Sequence, residues 1–350
     1  MSGRKKLFWS LFSLGLAVLS IWAVLSQSRK WSLPGIVESL RQANPLWILA
    51  AICCTVLFVA LEGVALSVVL KGIGFRQPLS RCMLYSTADI YFSAITPSAT
   101  GGQPASAYFM VKDGVSAGAA TVSLLVNLIL YTVSLVILGL LSVLFWPGVF
   151  FRLGTLSQIL IGVGCVIQVA LTVLFFVLLG KGPAVFGLAR RFVRFLHSKK
   201  LVHRLDHRLR KLDDAQAEYE TCARVMKGKS GVFFHALIWN LLQRAAHLAV
   251  PMCVYLALGG QLRWAGLLFA SQCLVVLGYS PVPIPGAMGV ADYLMLDAFS
   301  GLSFLLAEDA FQLEMLSRGL SFYICVATSG IVTLLGYLVT RKREKGKKQT

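Results

Sequence analysis

Long apolar runs alternate along the chain with short polar breaks that are rich in glycine and proline. A run of about 20 residues with few charges is long enough to cross a bilayer as a helix. Two further runs, residues 79–95 and 264–278, are apolar but shorter, and each leads into a polar break. The pattern predicts an all-α, polytopic helical membrane protein that forms a single membrane domain over residues 1–350. Its six full spans are predicted at residues 7–26, 45–70, 117–145, 156–179, 232–258 and 315–340.

The first polar break is TPSATGGQPASAYFMVKDG, residues 96–114. Pro97, Gly101, Gly102 and Pro104 disfavour a continuous helix, because proline lacks a backbone donor and glycine carries a large backbone entropy. At membrane depth, broken backbone is tolerated only where protein buries it or where it lines a polar cavity. We therefore expect a short hairpin that enters from the cytoplasm and returns at Lys112 and Asp113; an ordinary cytoplasmic loop is the alternative.

A second break follows in the C-terminal half, at YSPVPIPG, residues 279–286, and at Gly289. A short apolar helix over residues 290–299 completes a second broken hairpin. Residues 45–146 and 232–340 then form two repeats of span, hairpin and span. Counting orientations places the two hairpins on opposite sides, and inverted repeats that meet at broken helices are typical of secondary transporters. Chance recurrence of short hairpins is the other interpretation.

The charge distribution fits a membrane protein. The chain is 57% hydrophobic and 14% charged, with a formal net charge of +18. Its basic residues lie at the ends of the apolar runs, which predicts cytoplasmic N- and C-termini in the plasma membrane and contact with anionic phospholipid head groups rather than nucleic acid. Residues 181–229 are especially basic and part helical, typical of an amphipathic segment on the cytoplasmic leaflet; a docking surface for an acidic protein is the alternative.

Several chemistries lack their sequence signals. No G-x-x-x-x-G-K-[ST] or G-x-S-x-G motif is present, which disfavours ATP-driven pumping and a serine hydrolase. His203 and His207 have no evident third ligand, and the eight cysteines contain no C-x-x-C pair. We therefore expect no metal, no cofactor, no catalytic residue and no disulfide.

The two breaks are the predicted binding site. Half-helices that begin near Pro104 and Gly286 would direct unpaired N–H groups toward a phosphate or carboxylate. Thr100 and Gln103, with Ser98, would add hydrogen bonds.

The fifth span adds a polar face made of Asn240, Gln243, Arg244 and His247. An arginine at this depth is costly and should face the interior with a partner or an anionic ligand. Glu62 is the first choice of partner and Asp292 the second, with a purely structural salt bridge left open. Asp292 could instead cap its own helix.

Arg318, near the outer end of the last span, is a further candidate for the binding site. Its side chain could line the pathway. It could instead snorkel toward lipid phosphate.

Three stretches carry a family resemblance: SATGGQPASAYFMVKDGVS (98–116), PVPIPGAMGVADYLMLDAF (281–299) and SRGLSFYICVATSG (317–330). Here the chain resembles the lysylphosphatidylglycerol synthase transmembrane family, or flippase-like integral membrane proteins, which correspond to the N-terminal membrane part of the multiple peptide resistance factor. Asp292 stands where the family commonly has Glu. The positions that match the family's motifs are Gly101, Gly102, Gln103, Pro104, Lys112, Asp113, Pro285, Gly286, Gly289 and Arg318.

The resemblance implies translocation of an anionic or aminoacylated phospholipid, such as lysyl-phosphatidylglycerol, between membrane leaflets. About ten residues follow the last span, so we expect no soluble lysyltransferase domain. A lipid-modifying membrane enzyme and a non-transporting scaffold for a separate lipid synthase remain alternatives. A partner synthase and a homodimer also stay open.

Overall fold

The computed structural model describes residue 41 and residues 43–96, 99–198, 205–287, 289–302 and 307–346. The predicted first span, residues 7–26, lies outside the described residues. So do Pro97, Ser98, His203 and the last four residues of the basic tail.

The described part of the chain is helical and contains no strand, which confirms the all-α prediction. A short 3₁₀ segment, Pro285–Ala287, precedes the helix that begins at Val290, and a π-helical segment, Gly319–Tyr323, precedes the helix that begins at Ile324. The helices are α1 Pro45–Ile73, α2 Leu79–Ile95, α3 Gly102–Lys112, α4 Ala117–Phe145, α5 Pro147–Arg152, α6 Thr155–Gly180, α7 Gly182–Ser198, α8 Leu205–Lys227, α9 Ser230–Leu248, α10 Val250–Ala257, α11 Leu262–Tyr279, α12 Val290–Ser300, α13 Ala307–Arg318 and α14 Ile324–Gly346.

Five helical stretches among the described residues are long and apolar enough to cross a membrane. Four of them match predicted spans. The fifth, Leu262–Tyr279, was predicted only as the first arm of a hairpin. The stretches are Pro45–Ile73, Ala117–Phe145, Thr155–Gly180, Leu262–Tyr279 and Ala310–Arg341.

The span predicted at residues 232–258 is broken in the structure. It forms α9 and α10, which are separated at Ala249. Pro251 has no N–H to donate to the carbonyl of His247 and disfavours an uninterrupted helix. The polar face of α9 also makes it too hydrophilic to count among the five apolar stretches.

Local signals place the ends of the long helices. Asn44 accepts a hydrogen bond from the Leu46 N–H at the start of α1, and α1 ends at Gly74 in the left-handed conformation. Ser116 caps α4 by accepting from the Ala119 N–H. These caps satisfy backbone groups that a helix end leaves unpaired.

Helices α1 and α9 pack closely along their length. At one end the ammonium of Lys229 donates to the carbonyl of Gly72, at 2.7 Å. A Cβ at Gly72 would lie 2.7 Å from the Val232 side chain, so this side chain packs directly against the backbone of α1. The two helices are therefore held in direct contact at this end.

The two broken hairpins meet inside the bundle. Helix α2 packs against α1, α3 and α14, and it also contacts the 3₁₀ segment before α12. Helix α12 in turn packs against α11 and α13. The inverted relation of the two repeats and the orientation of the termini stay predictions.

The basic segment forms two helices, α7 and α8, which pack against each other. Arg190 on α7 is paired with Asp213 on α8, at 2.7 Å. Tyr219 is buried and donates to the carbonyl of Leu178, and burial raises the pKa of its hydroxyl to about 12. The hydroxyl therefore remains a donor at neutral pH and connects α8 to the end of α6. Contact of this segment with the cytoplasmic leaflet stays a prediction.

Candidate functional site

The hairpins and the polar face of α9 enclose one cavity of about 660 Å³. Small-molecule sites commonly have volumes of about 300–1,000 Å³. Helices α1, α2, α4, α9, α11 and α14 all contribute to its wall. The cavity brings together these predicted site residues: Glu62, Thr100, Gln103, Arg244, His247, Gly286 and Arg318.

The first hairpin is organised around Asp89, a buried residue of α2. Its Oδ1 accepts from the Ser93 hydroxyl at 3.1 Å, and its Oδ2 accepts from Gln103 Nε2 at 3.0 Å. A side chain at Gly102 would overlap the Asp89 carboxylate and the Ser93 hydroxyl. The GGQP motif therefore lets α3 begin directly against this carboxylate.

The break between α2 and α3 has its own hydrogen bonds. The Thr96 hydroxyl donates to the carbonyl of Phe92 at 2.6 Å and accepts from the Gly101 N–H at 2.9 Å. Ala99 has a positive φ of 53°, a conformation that non-glycine residues seldom adopt. Local hydrogen bonding thus holds a turn that helix geometry would not provide.

The far end of the first hairpin is held by Asp113. Its carboxylate accepts from the Tyr85 hydroxyl at 2.8 Å and lies 3.6 Å from the Arg81 guanidinium. Gln77 donates to its backbone carbonyl at 3.2 Å. These contacts connect the start of α2 to the end of α3.

The second hairpin is organised around Asp292 and Arg318. Asp292 Oδ2 accepts a hydrogen bond from the Gly289 N–H at 2.9 Å. Asp292 therefore caps α12, which was one of the alternatives predicted from the sequence. Its Oδ1 also lies 2.8 Å from Arg318 Nε. Besides this ion pair, Arg318 donates a hydrogen bond from Nη2 to the carbonyl of Gly286, at 3.3 Å. The alternative that Asp292 pairs with Arg244 is not observed.

Gly286 needs to be glycine for two reasons. Its φ is +60°, which disfavours L side chains, and a Cβ there would overlap the ring of Phe322. The same ring lies 4.9 Å from the guanidinium carbon of Arg318. The PIPG motif thus sets the backbone tightly against the helix that carries Arg318.

Carboxylates of the chain itself lie at the N-termini of both half-helices. Asp89 lies beside the start of α3, and Asp292 accepts from the N–H of Gly289, the N-cap residue of α12. From the sequence, we expected these N-termini to bind a phosphate or carboxylate. In the structure, a negative side chain already complements each positive helix end.

Arg244 has aromatic rather than carboxylate neighbours. Its guanidinium carbon lies 4.0 Å from the centre of the Tyr131 ring and 4.8 Å from that of Phe58. Among the described residues no carboxylate lies within 4.0 Å of it, so the predicted direct pair with Glu62 is not formed. Glu62 instead accepts a hydrogen bond from Gln243 at 3.0 Å.

The other members of the α9 face have different surroundings. Asn240 is fully buried and donates to Asn127 Oδ1 on α4, so it lies behind the cavity wall. His247 lines the cavity with its ring 4.5 Å from that of Phe58. Of the predicted site residues whose side chains the structure describes, those that do not line the cavity are Gly101, Gly102, Pro104, Asn240, Gly289 and Asp292.

Sequence reasoning missed Asp89, Tyr131 and Gln272, which all line the cavity. Asp89 had a usable signal, since it is the only acid in this 17-residue segment and the one other charge, Arg81, lies near the start of the segment. Tyr131 and Gln272 had no comparable signal, because aromatic and amide side chains are common within such helices.

Comparison with known proteins places the chain in a family. A search of curated proteins finds no match. The model of the family described as "Lysylphosphatidylglycerol synthase TM region" matches residues 10–344, nearly the whole sequence. The chain therefore belongs to this family, and it is a membrane protein of a family involved in the handling of lysyl-phosphatidylglycerol.

Proposed function

We propose that this protein translocates an aminoacylated or anionic phospholipid, such as lysyl-phosphatidylglycerol, between the leaflets of the plasma membrane. The observation that carries the proposal is the cavity, which both broken hairpins line and which holds the guanidinium of Arg244 with no described carboxylate within 4.0 Å. In this mechanism the polar head group enters the cavity while the acyl chains stay in lipid.

Arg244 is the proposed phosphate anchor. Buried charge is costly unless it is paired, and guanidinium groups bind phosphate through charge-assisted hydrogen bonds. The Nε–H of Arg244 has no hydrogen-bond partner. Tyr131 and Phe58 hold the guanidinium by cation–π contact without using its N–H donors, which leaves these donors for a ligand.

The cavity also bears on the alternative functions. A non-transporting scaffold for a separate synthase would be expected to have a packed interior. A lipid-modifying enzyme would need an activated nucleophile, and in the described part of the chain no hydroxyl or thiol is hydrogen-bonded to His247. The cavity supports transport over the scaffold.

The test is translocation in proteoliposomes, with labelled phosphatidylglycerol and its lysyl ester. We expect the wild type to move at least one lipid and Arg244→Ala to lose about 10-fold or more of the rate, because a charge-assisted contact contributes about 1.5–3 kcal/mol. Arg263→Ala is the matched control, since Arg263 is exposed at the start of α11 and outside the cavity. Folded wild-type protein that moves neither lipid would overturn the proposal.

A further inference from the structure

Two carboxylates face the cavity without a cation. Glu62 and Asp89 are both buried and both line it. Each accepts a hydrogen bond from a glutamine amide, from Gln243 and Gln103 respectively, at 3.0 Å. No described Lys, Arg or His nitrogen lies within 4.0 Å of either carboxylate. The hydrogen bonds from the two glutamine side chains orient the carboxylates but do not neutralise their charge.

The two arginines of the cavity differ in whether a carboxylate lies in contact with them. Arg318 is already paired with Asp292 at 2.8 Å, so this pair is close to neutral. Arg244 lies against two aromatic rings and has no carboxylate within 4.0 Å. The cavity is therefore lined by one guanidinium and two carboxylates that form no direct ion pair among the described residues and are held on different helices.

These charges share a cavity yet do not neutralise one another by direct contact. An uncompensated buried charge costs several kcal/mol, so the cost is relieved when a ligand brings the opposite charges. With both carboxylates ionised, the complementary ligand carries one anionic group and two cationic groups. A phosphate with two primary ammonium groups has this composition.

We infer that Glu62 and Asp89 form an ammonium-binding subsite, and that the cavity ranks phospholipids by the number of ammonium groups on the head group. The inference rests on the proposed function and deepens it. A lysyl ester of phosphatidylglycerol offers two ammonium groups and an alanyl ester offers one. Plain phosphatidylglycerol offers none and leaves both carboxylates uncompensated.

The first experiment measures equilibrium binding to the full-length protein in nanodiscs of neutral lipid. The probes are the lysyl ester, the alanyl ester and phosphatidylglycerol. We expect the wild type to bind them in that order, with a step of about 10-fold for each ammonium group lost, the size of one charge-assisted contact. Equal affinity for the three lipids, or tightest binding of phosphatidylglycerol, would overturn the inference. The wild-type protein alone is enough for this test.

Substitutions then assign the subsite. Asp89→Asn and Glu62→Gln keep the size of each side chain. Each variant also keeps an oxygen that can accept the hydrogen bond from the glutamine amide. We expect each to lower lysyl-ester affinity about 10-fold while phosphatidylglycerol affinity is unchanged or rises. Asp213→Asn is the control, because Asp213 pairs with Arg190 on the basic segment, outside the cavity. An equal loss for all three lipids in folded variants would show a structural role and contradict the assignment.

Translocation assays on the same variants separate this inference from the proposed function. Ranked binding without movement of any lipid would overturn the transport proposal and leave the subsite supported. Movement of all three lipids at equal rates, with equal affinities, would support transport and overturn the subsite.

Discussion

Gly102 allows the Asp89 carboxylate to lie against the start of α3. A methyl group there would overlap both Asp89 and Ser93, and the neighbouring α2 backbone leaves no room to move it. The single absent side chain therefore sets how closely the two arms of the first hairpin approach.

We predict that Gly102→Ala destabilises the protein by about 1–3 kcal/mol, the usual cost of overpacking a filled site. Thermal unfolding in detergent measures the change. Gly162→Ala is the matched control, because Gly162 lies within α6 with no atom near its missing Cβ, so alanine should be neutral or slightly stabilising. Equal stability of the two variants would contradict this account of the hairpin.

The second hairpin depends on Asp292 in a similar way. We expect Asp292→Asn to lower the free energy of unfolding by about 1–3 kcal/mol, because Arg318 would lose its only ion pair in the described part of the chain. Asp292→Glu, the residue common in the family, should retain more of the stability. Unfolding midpoints of the two variants test this, and the account fails if Asn is tolerated as well as Glu.

At the level of single residues, the sequence predicted which charged side chains line the cavity better than it predicted their partners. The cost of a buried charge indicated Arg244, Glu62 and Arg318, and all three line the cavity. Sequence spacing within one helix could not show that Arg244 lies against Tyr131, because that contact depends on how α4 and α9 pack. Asp89 was missed because its helix was interpreted only as an arm of a hairpin.

Among the elements, the first hairpin is held at the end away from the cavity. The carboxylate of Asp113 accepts from Tyr85 and lies near Arg81, and both partners are on α2. We predict that Asp113→Asn weakens this connection and reduces lipid translocation several-fold without abolishing it, because the cavity residues themselves are unchanged.

Tyr85→Phe provides the comparison for this prediction, since it removes one hydrogen bond and leaves the ion pair with Arg81. Its effect on the transport rate should be smaller than that of Asp113→Asn. A rate for Asp113→Asn equal to the wild type would show that the connection has no part in transport.

The bounds of the helices were predictable where local chemistry sets them. Apolar run length and the Ser116 cap give α4, whose structural bounds equal the predicted residues 117–145. The break between α9 and α10 was not predicted, although Pro251 is visible in the sequence. The apolar run continues on both sides of this proline. The length of an apolar run does not show that proline removes one backbone hydrogen bond of the helix.

For the whole molecule, the positive-inside pattern leads to a topology that can be measured. Ser80, at the start of α2, is predicted to be cytoplasmic, and Gln261, before α11, is predicted to be on the outer side. Both are exposed in the structure. In a cysteine-free background, Ser80→Cys should react with an impermeant thiol reagent only from the inside and Gln261→Cys only from the outside.

Reaction of both sites from the same side would contradict the inverted arrangement of the two repeats. It would also remove the argument that the hairpins enter from opposite leaflets. Loss of the cysteines should be tolerated if they serve only as small packing residues.

The contacts that hold α1 and α9 together have a consequence for movement. Lys229 and Gly72 connect the pair at this end, and Glu62 and Gln243 connect it again further along. We therefore expect these two helices to act as one fixed wall of the cavity. Glu62 belongs to this wall and Asp89 to the first hairpin, so a lipid with two ammonium groups would bridge the wall and the hairpin.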